Sequence, residues 1–563
     1  MKSKQQKFYI ILGLMLIIGL FSLHNIGYLG IANSDSYDDL KTSGTYKNIT
    51  IDNLPGSLNN WTWAENQVWC SGSGTLLDPY IIEGHILNMS MSIDGLKISN
   101  SHNKHFIIRN CTFKWNELTN SILMTGIYLL NTTHGLIEDN LIYHLGYGIV
   151  LEDCENISIT GNTIYDHIEG ISLYQVNNSR LINNNCSNND YGIYLDTECM
   201  NNTISGNTAN NNADYGIYLY EFCNYNTISN NEANENDYSG ISLEYECNNN
   251  TISGNTVNNN VDYGMYFYDS CGYNTISNNF VNGSVELGIS LHWYSSNNTI
   301  VDNIANYNGI IGIELYDYCE NNTVSNNIVS FNGLNGIGIY DFSNYNNLTE
   351  NLLFNNTSGV YIDNGDNNSI YENFFSKNFE HAFDDGIDNK WNNTVIGNYW
   401  DNHTGPDVND DGIVDNSYTY IGGPVGSIDY LPIAEDGAPR IDIISPPSGS
   451  GFGNTAPSFN VEMIDDYLFE MWYSIDGGLH NYTFTENGTI DQSAWNALPD
   501  GSVTISFYAI DIAGNIGTAE ITIGKNLTEE FDPTLVIVIV SLVGGVAVVA
   551  VVYIFIKKRA TPE

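Results

Sequence analysis

Gly216-Ile217-Tyr218-Leu219-Tyr220-Glu221-Phe222-Cys223-Asn224-Tyr225-Asn226-Thr227-Ile228-Ser229-Asn230-Asn231 is the stretch that decides the fold. Its opening alternates aliphatic and outward-type residues with a period of two, which is the mark of a strand, and Asn226-Thr227-Ile228-Ser229 reads as a second short strand. The same arrangement returns at Gly126, Gly148, Gly170, Gly192, Gly240, Gly264, Gly288, Gly312, Gly336 and Gly359, at spacings of 22, then 24, then 23 residues. A fixed period this short means a solenoid whose units stack directly over one another.

Two asparagine columns keep step with the glycines. One is Asn202, Asn226, Asn250, Asn274, Asn298, Asn322 and Asn346, and the other is Asn207, Asn231, Asn255, Asn279, Asn303, Asn327 and Asn351. Amides stacked at the strand spacing of about 4.8 Å can hydrogen-bond along the axis and satisfy turns that would otherwise bury unpaired polar groups. Gly, Asn and Asp supply the tight or left-handed corners of a coil made of three short strands. The expected body is a right-handed parallel β-helix of about a dozen coils, roughly 60 Å long. Cys199, Cys223, Cys247, Cys271 and Cys319 share this register, with Ser295 and Ser343 in the intervening places. A buried small residue stacked in the turn accounts for that column. A row of thiolates holding Cu(I), or disulfides between coils, are the alternatives.

The 563 residues carry 65 Asp plus Glu against 17 Lys plus Arg, and no Lys or Arg occurs between Arg180 and Lys377. Such a surface repels polyanions, so nucleic acid is excluded as a partner and cations are attracted. At the N-terminus a Lys-flanked apolar run from Phe8 to Leu23, followed by Gly30-Ile31-Ala32, reads as a secretory signal, with a retained anchor as the alternative. Pro533 to Ile556 is uncharged, long enough to span a bilayer, and followed by Lys557-Lys558-Arg559, which places the bulk of the chain outside the cell. Asn-x-Ser/Thr sequons at Asn249, Asn297, Asn321, Asn481 and Asn487 agree with export. Nine cysteines is an odd number, so a complete disulfide framework is impossible without a leftover or an intermolecular bond.

With the first and third residues after each glycine pointing inward, the second and fourth form an outer wall. Its expected ligand-binding residues are Tyr194, Tyr218, Tyr220, Tyr266, Tyr268 and Tyr316 with Asp196 and Glu244. Tyrosine offers a flat apolar ring with a polar tip suited to sugar rings, and carboxylates accept hydroxyl protons. High strand propensity and coil-to-coil stacking would explain the same tyrosines without a ligand. A hydrolytic site would need two or three carboxylates at a set separation. Candidates are Asp196 with Glu221 and Glu244, or Asp384, Asp385 and Asp388 beside His381. Beyond the coils, Asp407-Val408-Asn409-Asp410-Asp411-Gly412-Ile413-Val414-Asp415 matches the first part of a calcium loop, with Asp407, Asn409, Asp411, the carbonyl of Ile413 and Asp415 as ligands. Tyr418 stands where such a loop carries its bidentate Glu, so that ligand would come from elsewhere.

Asn398-Tyr399-Trp400-Asp401, the acidic loop, and Asp429-Tyr430-Leu431-Pro432, all following Asn-x-Thr-Ile-Ser-x-Asn coils, resemble the NosD-like group. The resemblance spans about 45 to 435 and implies a β-helix shared with carbohydrate-binding and sugar-hydrolysis domains. It also implies the copper association of an accessory protein of nitrous-oxide reductase. Trp69-Cys70-Ser71-Gly72-Ser73-Gly74-Thr75 through Asp78-Pro79-Tyr80 resembles the N-terminal cap of large archaeal surface proteins. No copper ligand set carries over, because the histidines are scattered and only His102 with His105 has a suggestive spacing. From Ala438 to Lys525 the period breaks, and Tyr473-Ser474-Ile475-Asp476-Gly477-Gly478 is similar to Ig-like or fibronectin-like sandwiches. The expected order is signal 1–32, cap 33–79, β-helix 80–400, C-terminal cap 401–437, sandwich 438–525, membrane helix 533–556 and cytoplasmic tail 557–563. The expected function is a membrane-anchored extracellular protein that binds glycan or a surface protein, or builds the envelope. A polysaccharide hydrolase and a copper-handling accessory protein are the alternatives.

Overall fold

The computed structural model describes residues 45–46, 48–89, 94–115, 124–409, 411–434, 438–465, 468–511 and 515–525. The expected signal, membrane helix and tail lie outside them. Among the described residues no helix is long and apolar enough to cross a membrane. The chain divides into two units, one ending at Glu435 and one holding the described residues from 438 onward.

The first unit is an all-β, right-handed parallel β-helix with three faces. A long sheet of 14 strands runs from Ile49–Asp52 to Glu380–Asp384, and a second of 13 strands runs from Tyr80–Glu83 to Ser369–Tyr371. The third face is broken into pieces of five, two and four strands. Each strand pairs with its counterparts one coil away, so that Tyr191, Ile193 and Leu195 lie against Tyr215, Ile217 and Leu219. Like residues therefore share a column. Ile193, Ile217, Ile241, Met265, Ile289 and Ile313 form one fully buried inner column and Leu195, Leu219, Leu243, Phe267, Leu291 and Leu315 the next. Burying such a side chain contributes about 1.5–3 kcal/mol.

The glycine column is a matter of space. A Cβ on Gly216 would stand 2.6 Å from the Gly240 carbonyl oxygen and 2.8 Å from Asn236 Nδ2. That asparagine belongs to a third ladder, Asn212, Asn236, Asn260, Asn308, Asn332 and Asn356, which the sequence reading did not separate from the other two. Asn212 Nδ2 donates to Asn236 Oδ1 at 2.9 Å, and Asn308 Nδ2 to Asn332 Oδ1 at 3.1 Å. The second expected column is continuous from Asn140 to Asn398, each amide bridging two coils and a main-chain carbonyl.

The prism begins earlier than its expected start at residue 80. Strand Ile49–Asp52 pairs with Leu96–Ser99, so the coil register reaches into the stretch assigned to the cap. The chain between Asp52 and Tyr80 folds over the end instead. There Trp61, at the head of a one-turn helix capped by Asn60, stacks on Tyr80 at 4.3 Å. At the other end Trp400 lies between Phe375 (4.3 Å) and Tyr418 (4.0 Å), and its indole N–H donates to buried Asp429 at 3.0 Å. This ties together the two motifs around Trp400 and Asp429.

The second unit contains a five-stranded sheet and a two-stranded sheet, Arg440–Ser445 with Asn460–Ile464, around a shared core of Val461, Tyr473, Trp495, Ile505, Phe507 and Ile523. It is a small β-sandwich. Lys525 is buried and donates to the Trp495 and Leu498 carbonyls at the end of helix Gln492–Ala497, where free acceptors and the helix dipole favour a cation.

Candidate functional site

The outer face of the long sheet is built from three columns. In strand Tyr191–Asp196 both Gly192 and Ile193 face inward, and the glycine drops out of the pairing register. The residue before the glycine therefore returns to the outside together with the second and fourth after it. Strict alternation places that residue inside, so Tyr147, Tyr191, Tyr215 and Tyr263 were missed. The recurrent Tyr-Gly pair was the signal available.

All eight expected wall residues lie on this face. Tyr215 stacks on Tyr218 at 4.3 Å, Tyr194 on Tyr218 at 5.2 Å, and Tyr263 on Tyr266 at 4.3 Å. Between these stacks, fully buried Ser239 and Ser242 take the tyrosine places, and the neighbouring rings close over them. Tyr218 and Tyr266 are each only 8% exposed. They form the floor of the wall. Tyr194, Tyr220, Tyr268, Tyr316 and Asp196 are half-buried and present the contact surface. Corner aromatics extend it, because Trp293 stacks on Tyr268 at 5.6 Å and Tyr245 meets the edge of Tyr220 at 5.0 Å.

Two carboxylates are set into the floor. Glu244 is 9% exposed and accepts hydrogen bonds from Ser242 (3.0 Å), Tyr218 (3.1 Å) and Tyr215 (3.4 Å). Burial raises its pKa above the ordinary 4.5, and the three hydroxyl donors offset part of that rise. Burial and the nearby Glu244 both hold the phenols of Tyr218 and Tyr215 upward, so they remain donors. Two coils on, His292 Nε2 stands 2.8 Å from Glu314, which also accepts from Ser290 at 2.8 Å. The His292 ring meets Tyr266 at 5.2 Å and Tyr316 at 5.0 Å, joining the stacks into one surface.

Because Glu244 holds its proton to a higher pH folded than unfolded, its linkage favours folding below pH 4.5, and that advantage is lost as pH rises through the folded pKa. Glu244→Gln removes the dependence. Denaturant titrations at pH 4 and pH 7 should show a larger advantage of the glutamine variant at pH 7; an equal difference at both would mean that the carboxyl titrates normally.

Of the carboxylates weighed for hydrolysis, Asp384 is held by the fold. Asp384 is fully buried and accepts from Gly386 N, Asn389 Nδ2, Trp391 Nε1 and Ser427 Oγ, whereas Asp385 and Asp388 are exposed beside it. His381 pairs with Asp401 at 2.8 Å. Burial alone would raise Asp401, but His381, the Lys377 N–H and the Ser376 hydroxyl together hold it below its ordinary value.

The cysteines of the column are all free and fully buried, so the disulfide alternative is overturned. Their sulfurs lie against main-chain carbonyls, as Cys223 does with Tyr220 at 3.3 Å and Cys319 with Tyr316 at 3.2 Å. Only a protonated thiol approaches an acceptor in this way. Burial raises Cys199, Cys247 and Cys319 far above the ordinary thiol range. His105 meets His134 edge to face at 5.0 Å, not His102. Among the described residues no three His, Cys, Asp or Glu side chains are grouped to hold a metal. In the acidic loop, Asp407 accepts from Asp411 N and Gly412 N, Asp411 accepts from Ile413 N and Asn409 Nδ2, and Asp415 accepts from Val408 N. These contacts fix the turn through its own amides.

The family model described as periplasmic copper-binding protein (NosD) matches residues 58–219, 116–290 and 284–405. Curated proteins give no match. Solved structures similar to the chain include a double mutant of the periplasmic alginate epimerase AlgG, 16% identical over 53% of this chain and 85% of that one, with a TM-score of 0.41. The A-module of the Azotobacter vinelandii mannuronan C-5 epimerase AlgE6 is 15% identical over 55% and 87%, with a TM-score of 0.37. DFA-IIIase from Arthrobacter chlorophenolicus A6 is 11% identical over 59% and 81%, with a TM-score of 0.31. At these TM-scores the likenesses carry no argument about chemistry.

Proposed function

The chain belongs to the family of periplasmic copper-binding proteins (NosD), and from that premise we propose that it is an exported, membrane-anchored β-helix that binds glycan along its tyrosine wall. The observation that carries this reading is the continuous face from Tyr191 to Tyr316, in which ring stacks alternate with the hydrogen-bonded carboxylates Glu244 and Glu314. Flat apolar rings suit the C–H faces of sugars, and carboxylates take hydroxyl protons. With no cation between Arg180 and Lys377, the ligand is a neutral polysaccharide rather than an acidic one. Copper, which the family name implies, is not matched by the donors among the described residues: the column thiols are sealed, and no three His, Cys, Asp or Glu side chains are grouped to hold a metal. No step is assigned to it.

Replacing Tyr220, Tyr268 and Tyr316 together by Ala tests the wall, because these rings are half-exposed and their loss leaves the floor in place. Affinity for a neutral polysaccharide, measured by calorimetry on the exported portion, should fall at least about tenfold, since each ring contributes about 1 kcal/mol. The melting temperature should stay close to that of the parent. Undiminished binding by the triple variant would leave the wall a purely structural stack.

A further inference from the structure

The residue that precedes each amide of the first asparagine ladder, which continues from Asn346 to Asn368, occupies an exposed corner column: Asn201, Tyr225, Asn249, Tyr273, Asn297, Asn321, Tyr345 and Asn367. Every one of them is left-handed, with φ between 57° and 61°. In each asparagine position the triplet is completed by a buried ladder asparagine and by Thr203, Thr251, Thr299, Thr323 or Ser369, which opens the next strand. The register of the solenoid thus turns Asn-x-Ser/Thr into a row along a single edge. The side-chain amides of these five asparagines make no hydrogen bond among the described residues. Two of the sequons off this edge are spent on the fold. Asn356 is a buried rung donating to Val329 O, and Asn487 accepts from Val461 N while donating to Asn460 Oδ1.

The interleaved tyrosines are a second, independent observation. Tyr225, Tyr273 and Tyr345 take the same left-handed corner with 58%, 63% and 56% of their surface exposed. Exposed rings interleaved with the asparagines offer their faces to a partner. A sugar chain rooted one coil away, about 4.8 Å along the axis, would lie across them.

We propose that this edge is a row of N-linked glycosylation sites, Asn201, Asn249, Asn297, Asn321 and Asn367, with the tyrosines packing against the attached sugars. In the transfer, Nδ2 forms a bond to C1 of the reducing-end sugar of a lipid phosphate-linked oligosaccharide. The C1–O bond to phosphate breaks, the lipid phosphate leaves with the electron pair, and Nδ2 gives up one proton. The row lies on the corner after the tyrosine wall, so it is independent of ligand binding there.

Glycopeptide mass spectrometry on the full chain isolated from the cells that naturally make it is the test. Glycan mass is expected on the column asparagines, with Asn356 and Asn487 bare. A bare column, or occupancy spread equally onto Asn356 and Asn487, overturns the proposal. Tyr273→Asn completes a triplet with Asn274 and Thr275, and expressed in the same cells it should gain a glycan at 273; a variant that folds and stays unmodified there also overturns it.

Discussion

Replacing Asn279 by leucine is expected to destabilise the β-helix by about 2–4 kcal/mol, although the two side chains are nearly the same size. The amide of Asn279 donates to Ile252 O at 2.9 Å and to Asn303 Oδ1 at 2.9 Å, while its oxygen accepts from Asn255 N at 2.9 Å and Asn255 Nδ2 at 3.0 Å. Asn303 keeps the Asn279 N–H, and Asn255 Nδ2 keeps Ile228 O. What the leucine strands is the Asn255 N–H, shut away from water, while the Ile252 carbonyl loses its side-chain donor but keeps its place in the strand ladder. Such an orphan costs about 1–3 kcal/mol and a lost hydrogen bond about 0.5–1.5 kcal/mol. Volume is conserved, so a cavity adds little. A solenoid is held by nearest-neighbour interfaces, which makes the loss local: hydrogen exchange should accelerate first in the coils around 252–303. Urea titration should show a midpoint well below that of Val261→Ala, a change at a 40%-exposed side chain outside the ladders. A variant as stable as that control would mean that the ladder contributes no more than the exposed surface does.

The period, inner columns and two ladders were legible because each coil repeats one set of physical demands, so a requirement at one position is written many times. The rest escaped for identifiable reasons. The third ladder sits beside the glycine column, and its asparagines are diluted among others such as Asn210 and Asn211 that face the surface. The pre-glycine tyrosines follow from a break in alternation at the glycine that a period-two reading cannot contain. Left-handed corners were expected to hold Gly, Asn and Asp, but Phe222, Tyr225, Tyr273, Trp293 and Tyr294 also take them. Main-chain ladders to the adjacent coils fix that conformation whatever the side chain prefers, as when Tyr225 N donates to Asn248 O and Tyr273 N to Ser296 O. The face on which the wall residues lie follows from the period, but their exposure does not. Ser239 and Ser242 let neighbouring rings fold inward, and the burial of Tyr218 and Glu244 depends on those serines rather than on their own type.

Asp384 separates a structural carboxylate from a catalytic one, and Asp384→Ala should produce the second large effect. Its Oδ1 takes Gly386 N at 3.0 Å and Asn389 Nδ2 at 2.7 Å, and its Oδ2 takes Trp391 Nε1 at 2.8 Å and Ser427 Oγ at 2.6 Å. Alanine leaves the indole N–H and the Gly386 N–H without an acceptor in a dry site, because Asn389 retains Gly365 O and the hydroxyl of partly exposed Ser427 can turn to water. Two stranded donors cost about 2–6 kcal/mol together, and hydrogen bonds to a carboxylate stand at the upper end of that range. The loss should appear as an earlier melting step and as proteolytic cutting near the C-terminal cap. Asp384→Asn, which keeps one acceptor oxygen, should recover part of the stability. A general acid or base would behave in the opposite way: its amide variant folds like the parent while reducing-end release from neutral polysaccharide disappears. Four donors leave no carboxylate lone pair directed at solvent, so the expected outcome is unfolding without any change in polysaccharide binding at the distant tyrosine wall.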